Sequence, residues 1–381
     1  MTLPLPAAEA ADLSARLQSE IARAIAAQQG WMPLAEFWER ALFTPGLGYY
    51  CNGTTKFGAA GDFITAPELS DDLARCLARQ LGCWLGASQP DVLEFGPGSG
   101  RLAHDLLLAL DRLGQAPRHY YLLERSADLR ARQQALVARL PVHLAERVRW
   151  LDELPAQFSG VMLANELLDA LPIDCWVRRG DGWRELGVAQ ANDALVLAEG
   201  PARASLPLDE ALLASLPEGY RLELRPQASA WVQSVLAVLQ QGVLLLIDYG
   251  YGRPELFHPQ RHQGTLTAFY RHHQLENPLL WPGLVDLTAH VDFTAVADAA
   301  LAAGAELLGF TTQAAFLLDC GLADPAVAAT PGSAAALQQM AHWHQLTHPA
   351  EMGDLFKVMA LGRGVDEPGP GFRSPGREYQ L

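Results

Sequence analysis

From Asp91 onward the chain repeats one pattern: a short apolar run that ends in a polar or acidic residue, then a stretch with apolar residues at helical spacing. DVLEFG, HYYLLE, RVRWLD, GVMLAN and GVLLLIDYG are the apolar runs. Leu102, Leu106, Leu110 and Leu113 form one intervening helical stripe. Leu129, Leu136, Val137 and Leu140 form another, with Ser126 placed to cap it and Pro141 to end it. Continuous apolar strands alternating with helices predict a mostly parallel α/β sheet with helices on both faces.

The remaining segments are expected to decorate that core. Residues 1–88 read as N-terminal helices followed by a Gly-rich active-site loop, with one helix over 9–29 carrying Leu13, Leu17, Ile21 and Ile25 on one face. Residues 89–173 hold the first part of the core. Residues 174–225 read as an inserted small antiparallel sheet, and 226–363 as the rest of the core with an irregular lid at 250–289. GAELLGF and LFKVMALG are expected to pair as an antiparallel edge. The Pro- and Gly-rich tail 364–381 is expected to be disordered.

Composition narrows the function classes. Of 381 residues, 50% are hydrophobic, enough for a large buried core, and no apolar run is long enough to span a bilayer. The net charge of −15 suits a basic partner better than a phosphate backbone, so no nucleic acid is expected. The five cysteines are scattered without a CxxC pair and are expected to be small buried hydrophobes. No metal is expected, because His342, His344 and His348 have no acidic companion. The start lacks a basic, acid-poor leader, and the expected location is the cytoplasm.

Each core strand ends in a polar group: Glu94, Glu124, Asp152, then Asn165 with Glu166, and Asp248. In a parallel sheet these ends share one edge, where open α/β sheets bind their ligands. The turn after the first strand is Gly96-Pro97-Gly98-Ser99-Gly100. A dinucleotide fold would call for GxGxxG, and Arg101 stands where the last glycine would fall. The GxGxG spacing instead resembles the first motif of class I methyltransferases, although a plain tight turn has the same signature. Glu124 could accept hydrogen bonds from both ribose hydroxyls or cap the following helix. Asp152 could accept from an adenine amino group or be a solvated loop residue.

The motifs then become recognisable as a set. FTPGLGYY, FGAAGDFITAPELS, LEFGPGSGRLAHDLL, LLERSADLRARQ, ANELLDALPID, LLIDYG, DLTAHVDF and MGDLFKVMA occur in this order from about Pro33 to Leu361. Together they resemble the MidA family. The chain departs from that family's pattern with PELS for PEIS and NELLDALP for NEFFDALP, apolar changes that keep the polar groups. The resemblance implies a class I, Rossmann-like methyltransferase fold with S-adenosyl-L-methionine as cofactor. It also implies symmetric dimethylation of an arginine on a partner protein such as a respiratory complex I subunit. Cofactor contacts are expected from Glu94, Gly96, Gly98, Gly100, Glu124, Asp152 and Asn165. Catalytic candidates are Glu166 first, then Asp62, Asp169 and His290, with capping or turn formation as the structural alternative for the last two. A homodimer is left open. The competing functions are a non-catalytic assembly factor, a small-molecule methyltransferase and an NAD-linked oxidoreductase.

Overall fold

The apolar runs become strands because both their faces are covered. Asp91–Phe95 is buried throughout, and the central residues of Phe158–Asn165 and Leu239–Tyr251 are buried on every side. The computed structural model describes residues 3–53, 65–87, 91–180 and 182–381. The chain divides into two compact units.

The first unit comprises Ile64–Leu168, Ser229–Gly252 and Phe293–Leu381. In chain order its main elements are α1 (Asp72–Ala87), β1 (Asp91–Phe95), α2 (Arg101–Arg112), β2 (His119–Leu123), α3 (Ala127–Val137), β3 (Val148–Leu151), β4 (Phe158–Asn165), α4 (Pro226–Val238), β5 (Leu239–Tyr251), α5 (Phe293–Ala302), β6 (Glu306–Thr312) and β7 (Phe356–Arg363). The strands line up as β6-β7-β5-β4-β1-β2-β3. Neighbours from β3 to β5 are parallel, and β7 runs antiparallel to both β5 and β6. The last two strands thus pair antiparallel at one edge of the sheet, as expected of GAELLGF and LFKVMALG. The order in which strands are added along the sheet reverses between β1 and β4, the kind of point at which open α/β sheets bind their ligands. The core packs Leu77, Leu81 and Trp84 of α1 with Leu102, Leu106 and Leu110 of α2 and with Val92, Tyr120, Val161 and Leu245 from the strands.

The tail after Gly364 is an ordered part of this unit, contrary to the expectation of disorder. Trp84 Nε1 donates to Glu367 O at 2.9 Å, Gln80 Nε2 to Pro368 O at 2.8 Å, and Gly371 N to Gln80 Oε1 at 2.6 Å. The Phe372 ring packs edge-on against Phe316. Proline and glycine keep this segment from forming an α-helix, leaving only single 3-10 turns at Pro370–Phe372 and Glu378–Gln380, and free its backbone polar groups to satisfy buried side chains.

The second unit comprises Met1–Phe63, Asp169–Ala228 and Arg253–Asp292. Its helices Ala8–Ala27 and Leu34–Phe43 pack Leu17, Ile21, Phe37 and Trp38 against an antiparallel sheet. That sheet uses Asp174–Arg179, Gly182–Ala191, Ala194–Arg203 and Arg221–Leu224, joined by the three residues Trp31–Pro33. The stretch expected as an irregular lid contains a second small sheet of Thr267–Tyr270, His273–Leu275 and Asp286–Thr288. Strands of three or four residues separated by Pro and His are too short to show a period of two.

Candidate cofactor site

Strand register sets the site. Phe95 of β1 is level with Leu123 of β2 and Ala164 of β4, Leu123 is level with Leu151 of β3, and Asn165 is level with Ile247 of β5. The next residues along each strand are Gly96, Glu124, Asp152, Glu166 and Asp248. The polar groups read from the sequence therefore lie along one rim of one sheet.

The glycine turn departs from β1 with Gly96, Gly98 and Gly100 all left-handed, at φ of 58°, 54° and 83°. A side chain in that region is strained, which explains three glycines in five residues. Gly96 N donates to Leu123 O, so the turn begins as a continuation of the ladder. Gly100 then precedes the first residue of α2, Arg101, whose N–H donates to Ser99 Oγ at 3.2 Å. Ser99 Oγ donates to Glu68, which lies on the short helix Ala66–Leu69.

Glu124 follows β2 and is buried. Its Oε1 accepts from Ser126 N at 2.8 Å and its Oε2 from Gln133 Nε2 at 3.1 Å. Burial raises its pKa, opposed by these donors and by Arg130. Its carboxylate accepts from Ser126 N while Ser126 Oγ accepts from Leu129 N, so the start of α3 is capped as read from the sequence. Glu94, on the neighbouring strand β1, is fully buried. Burial lifts its pKa to about 7, the Tyr120 hydroxyl donating at 2.6 Å opposes that rise, and the charge of Glu124 adds to it. Asp152 is exposed and pairs with Arg130 at 2.8 Å. The same guanidinium donates to the carbonyls of Glu124 and Leu151, tying the ends of β2 and β3 together.

At the end of β4, Glu166 has a left-handed backbone at φ 52°, uncommon for a residue with a side chain. Its N–H donates to Ile247 O at 2.8 Å, and Asn165 Nδ2 donates to its carboxylate at 3.1 Å. Asp248 holds the bend: its Oδ2 accepts from Leu167 N at 3.2 Å and Leu168 N at 2.8 Å, and its Oδ1 accepts from Tyr249 N. Asp248, near the end of β5, thus acts as a turn former for the segment after β4.

The other two described candidates belong to the second unit and come together there. Asp169 Oδ2 accepts from Thr288 Oγ1 at 2.9 Å. Arg225 donates to the carbonyls of Asp169, Leu171, Ala289 and His290, stitching the 169–171 segment to 289–290. Asp292 accepts from Arg253 Nε at 3.2 Å. Asp62 lies outside the described residues. Sequence reading missed Gln133, Glu68 and Arg130; the first ends the LLERSADLRARQ motif and carried no signal beyond its place there.

A glycine turn that brings main chain to a ligand, beside a buried carboxylate one strand away, fits an adenosyl cofactor: the amino-acid part over the turn, the ribose on Glu124. Comparison with known proteins agrees. Residues 73–311 match the model of a family described as S-adenosyl-L-methionine-dependent methyltransferase. The mitochondrial protein arginine methyltransferase NDUFAF7 of Mus musculus is 31% identical, covering 87% of this chain and 81% of that protein. Its Drosophila melanogaster homolog is 31% identical, covering 88% and 82%. A Burkholderia thailandensis crystal structure, described as a methyl transferase bound to S-adenosyl-homocysteine, is 42% identical and matches with a TM-score of 0.94 over 100% of both chains. The expected cytoplasmic location is overturned by the relatives, since the zebrafish, fly and mouse proteins are all named as mitochondrial. The composition of one terminal segment was a poor guide to that question. The chain belongs to the MidA family of class I methyltransferases and uses S-adenosyl-L-methionine as its methyl donor.

Proposed function

We propose that this methyltransferase modifies an arginine on a partner protein, with Glu166 gripping the guanidinium. Support for the arginine comes from the names of the relatives, which are protein arginine methyltransferases. The observation that carries the role of Glu166 is its left-handed backbone at the end of β4, one residue past the level of the glycine turn, where Asp248 of β5 accepts from the two N–H groups that follow. Backbone strain of this kind persists only where the surroundings enforce it, and it clusters at functional positions. The family resemblance adds the finer expectations of symmetric dimethylation and of a respiratory complex I subunit as substrate.

The cofactor, when bound, supplies a methyl already activated on a sulfonium. The protein must then hold a nitrogen in line with it, and such positioning is worth several kcal/mol, up to ~7–11 in favourable cases. A guanidinium stays protonated, with a pKa above ~12, and its nitrogens are poor nucleophiles. A carboxylate holding the other nitrogens through paired charge-assisted hydrogen bonds fixes the plane and draws positive charge away from the attacking atom. Asn165, donating to the Glu166 carboxylate, keeps that group oriented.

Glu166→Gln keeps the size and the tolerance of a left-handed backbone but removes the charge. It is expected to lower turnover roughly 100-fold or more while S-adenosyl-homocysteine binding stays within about threefold of wild type. Mass spectrometry of arginine-containing proteins from cells with and without the enzyme tests the substrate class. Unchanged arginine methylation would sink the proposal. The same assay on Asp169→Asn and His290→Ala ranks the two remaining described candidates. A peptide-free substrate accepted by the enzyme would favour the small-molecule reading.

A further inference from the structure

Among the described residues, Gln133 hydrogen-bonds both the glycine turn and Glu124, and its amide has no freedom to turn. It lies in α3 and is fully buried. Its Oε1 accepts from the indole N–H of Trp150 at 3.0 Å. An indole can only donate, so this contact fixes which end of the amide is oxygen. The two hydrogens on Nε2 then meet two acceptors, Gly98 O at 2.9 Å in the glycine turn and Glu124 Oε2 at 3.1 Å. The amide's polar atoms are all engaged, none of them with solvent.

A second observation shows that the turn is shaped around this residue. A Cβ placed on Gly100 would lie 3.0 Å from Gln133 Cγ and 3.3 Å from its Cα. The third glycine of the turn therefore makes room for Gln133 as well as for the chain reversal. Glu124 is held at both oxygens, by Ser126 N on one and by Gln133 on the other.

We infer that Gln133 is a positioning residue for the methyl donor: it locks the glycine turn to the ribose-binding carboxylate, so that Gly98 and Glu124 move as one preformed site. Trp150 is the third member, setting the orientation of the amide. This rests on Glu124 as the ribose ligand, and the experiment separates the two ideas.

Calorimetry with S-adenosyl-homocysteine, 5′-methylthioadenosine and its 2′-deoxy analogue tests the inference on the full chain. Gln133→Met keeps the length and loses every polar contact. Gln133→Glu keeps the shape and the acceptor for Trp150 but loses both donors, so it serves if the first variant folds poorly. Both are expected to bind S-adenosyl-homocysteine roughly 10- to 100-fold more weakly, the range for losing hydrogen bonds to charged or buried acceptors. They are also expected to lose most of the wild-type preference for the ribose over the deoxyribose ligand, which a merely structural residue would leave intact. Trp150→Phe should weaken binding by a smaller factor, because the amide is then free to flip. An affinity within about twofold of wild type, with the ribose preference kept in both Gln133 variants, overturns the inference. Glu124→Gln is the control: if it too keeps the ribose preference, the assignment of Glu124 has failed and the inference fails with it. If Glu124→Gln loses the preference and the Gln133 variants keep it, only the role of Gln133 is refuted.

Discussion

Glu94 shows how one residue can oppose the stability of the site it supports. Its folded pKa of about 7 lies well above the ordinary carboxylate value, because burial disfavours the charge and Glu124 repels it. As pH rises from about 4.5 to 7, the unfolded chain gives up this proton while the folded chain keeps it. Stability therefore falls across that window, and the loss is complete above pH 7. Glu94→Gln cannot ionise and can still accept from Tyr120. Its thermal unfolding should match wild type near pH 4 and exceed it at pH 8 by about 3 kcal/mol. An equal gain at both values would show that packing, rather than ionisation, explains the change. Gly98 makes a separate prediction. At φ 54° it occupies a region that a β-branched side chain enters only with strain, in a turn expected to meet the ligand main chain to main chain. Gly98→Val should abolish detectable S-adenosyl-homocysteine binding by calorimetry, and retained binding would show that the ligand does not approach this stretch.

Among the elements, the tail after β7 behaves least like its composition. Its carbonyls satisfy Gln80 and the Trp84 indole, both buried on α1, and Phe372 covers Phe316. Ending the chain after Arg363 would leave two buried polar side chains without these partners and an aromatic face exposed. Each unsatisfied buried group costs about 1–3 kcal/mol, so the truncated protein should be destabilised by roughly 2–6 kcal/mol in urea unfolding. A shift below about 1 kcal/mol would mean the tail is dispensable padding. Strand elements were easier to read than this segment. The apolar runs in β1, β4 and β5 have enough consecutive buried residues to declare themselves, whereas Trp31–Pro33 joins a sheet through three residues that carry no periodic signal.

For the molecule as a whole, the formal charge of −15 is spread over a chain with only two lysines, Lys56 and Lys357. An arginine-bearing substrate would feel that field at long range. Screening shortens its reach from ~30 Å at 0.01 M salt to ~8 Å at 0.15 M, so KM for a basic peptide should rise severalfold between these conditions while kcat changes little. A salt-independent KM would argue that recognition is local and not steered.

At the same scale, the polar strand ends could be foreseen as one rim because hydrophobic periodicity fixes where parallel strands stop, and their register then levels Gly96, Glu124 and Asn165, with Glu166 one residue on. Local chemistry also reserved the left-handed turn for glycine. The binding class, the sheet and the donor followed from those constraints together with the motif resemblance. What the sequence left undetermined depends on contacts between distant residues. Gln133 reaching Gly98 and Trp150, Arg130 engaging Asp152, Asp248 turned inward as a hinge for Leu167 and Leu168, and the tail docked on α1 have no local signature. Each is a hydrogen bond whose partner is chosen by packing, and a one-dimensional pattern records propensity and spacing but not which buried group will face which.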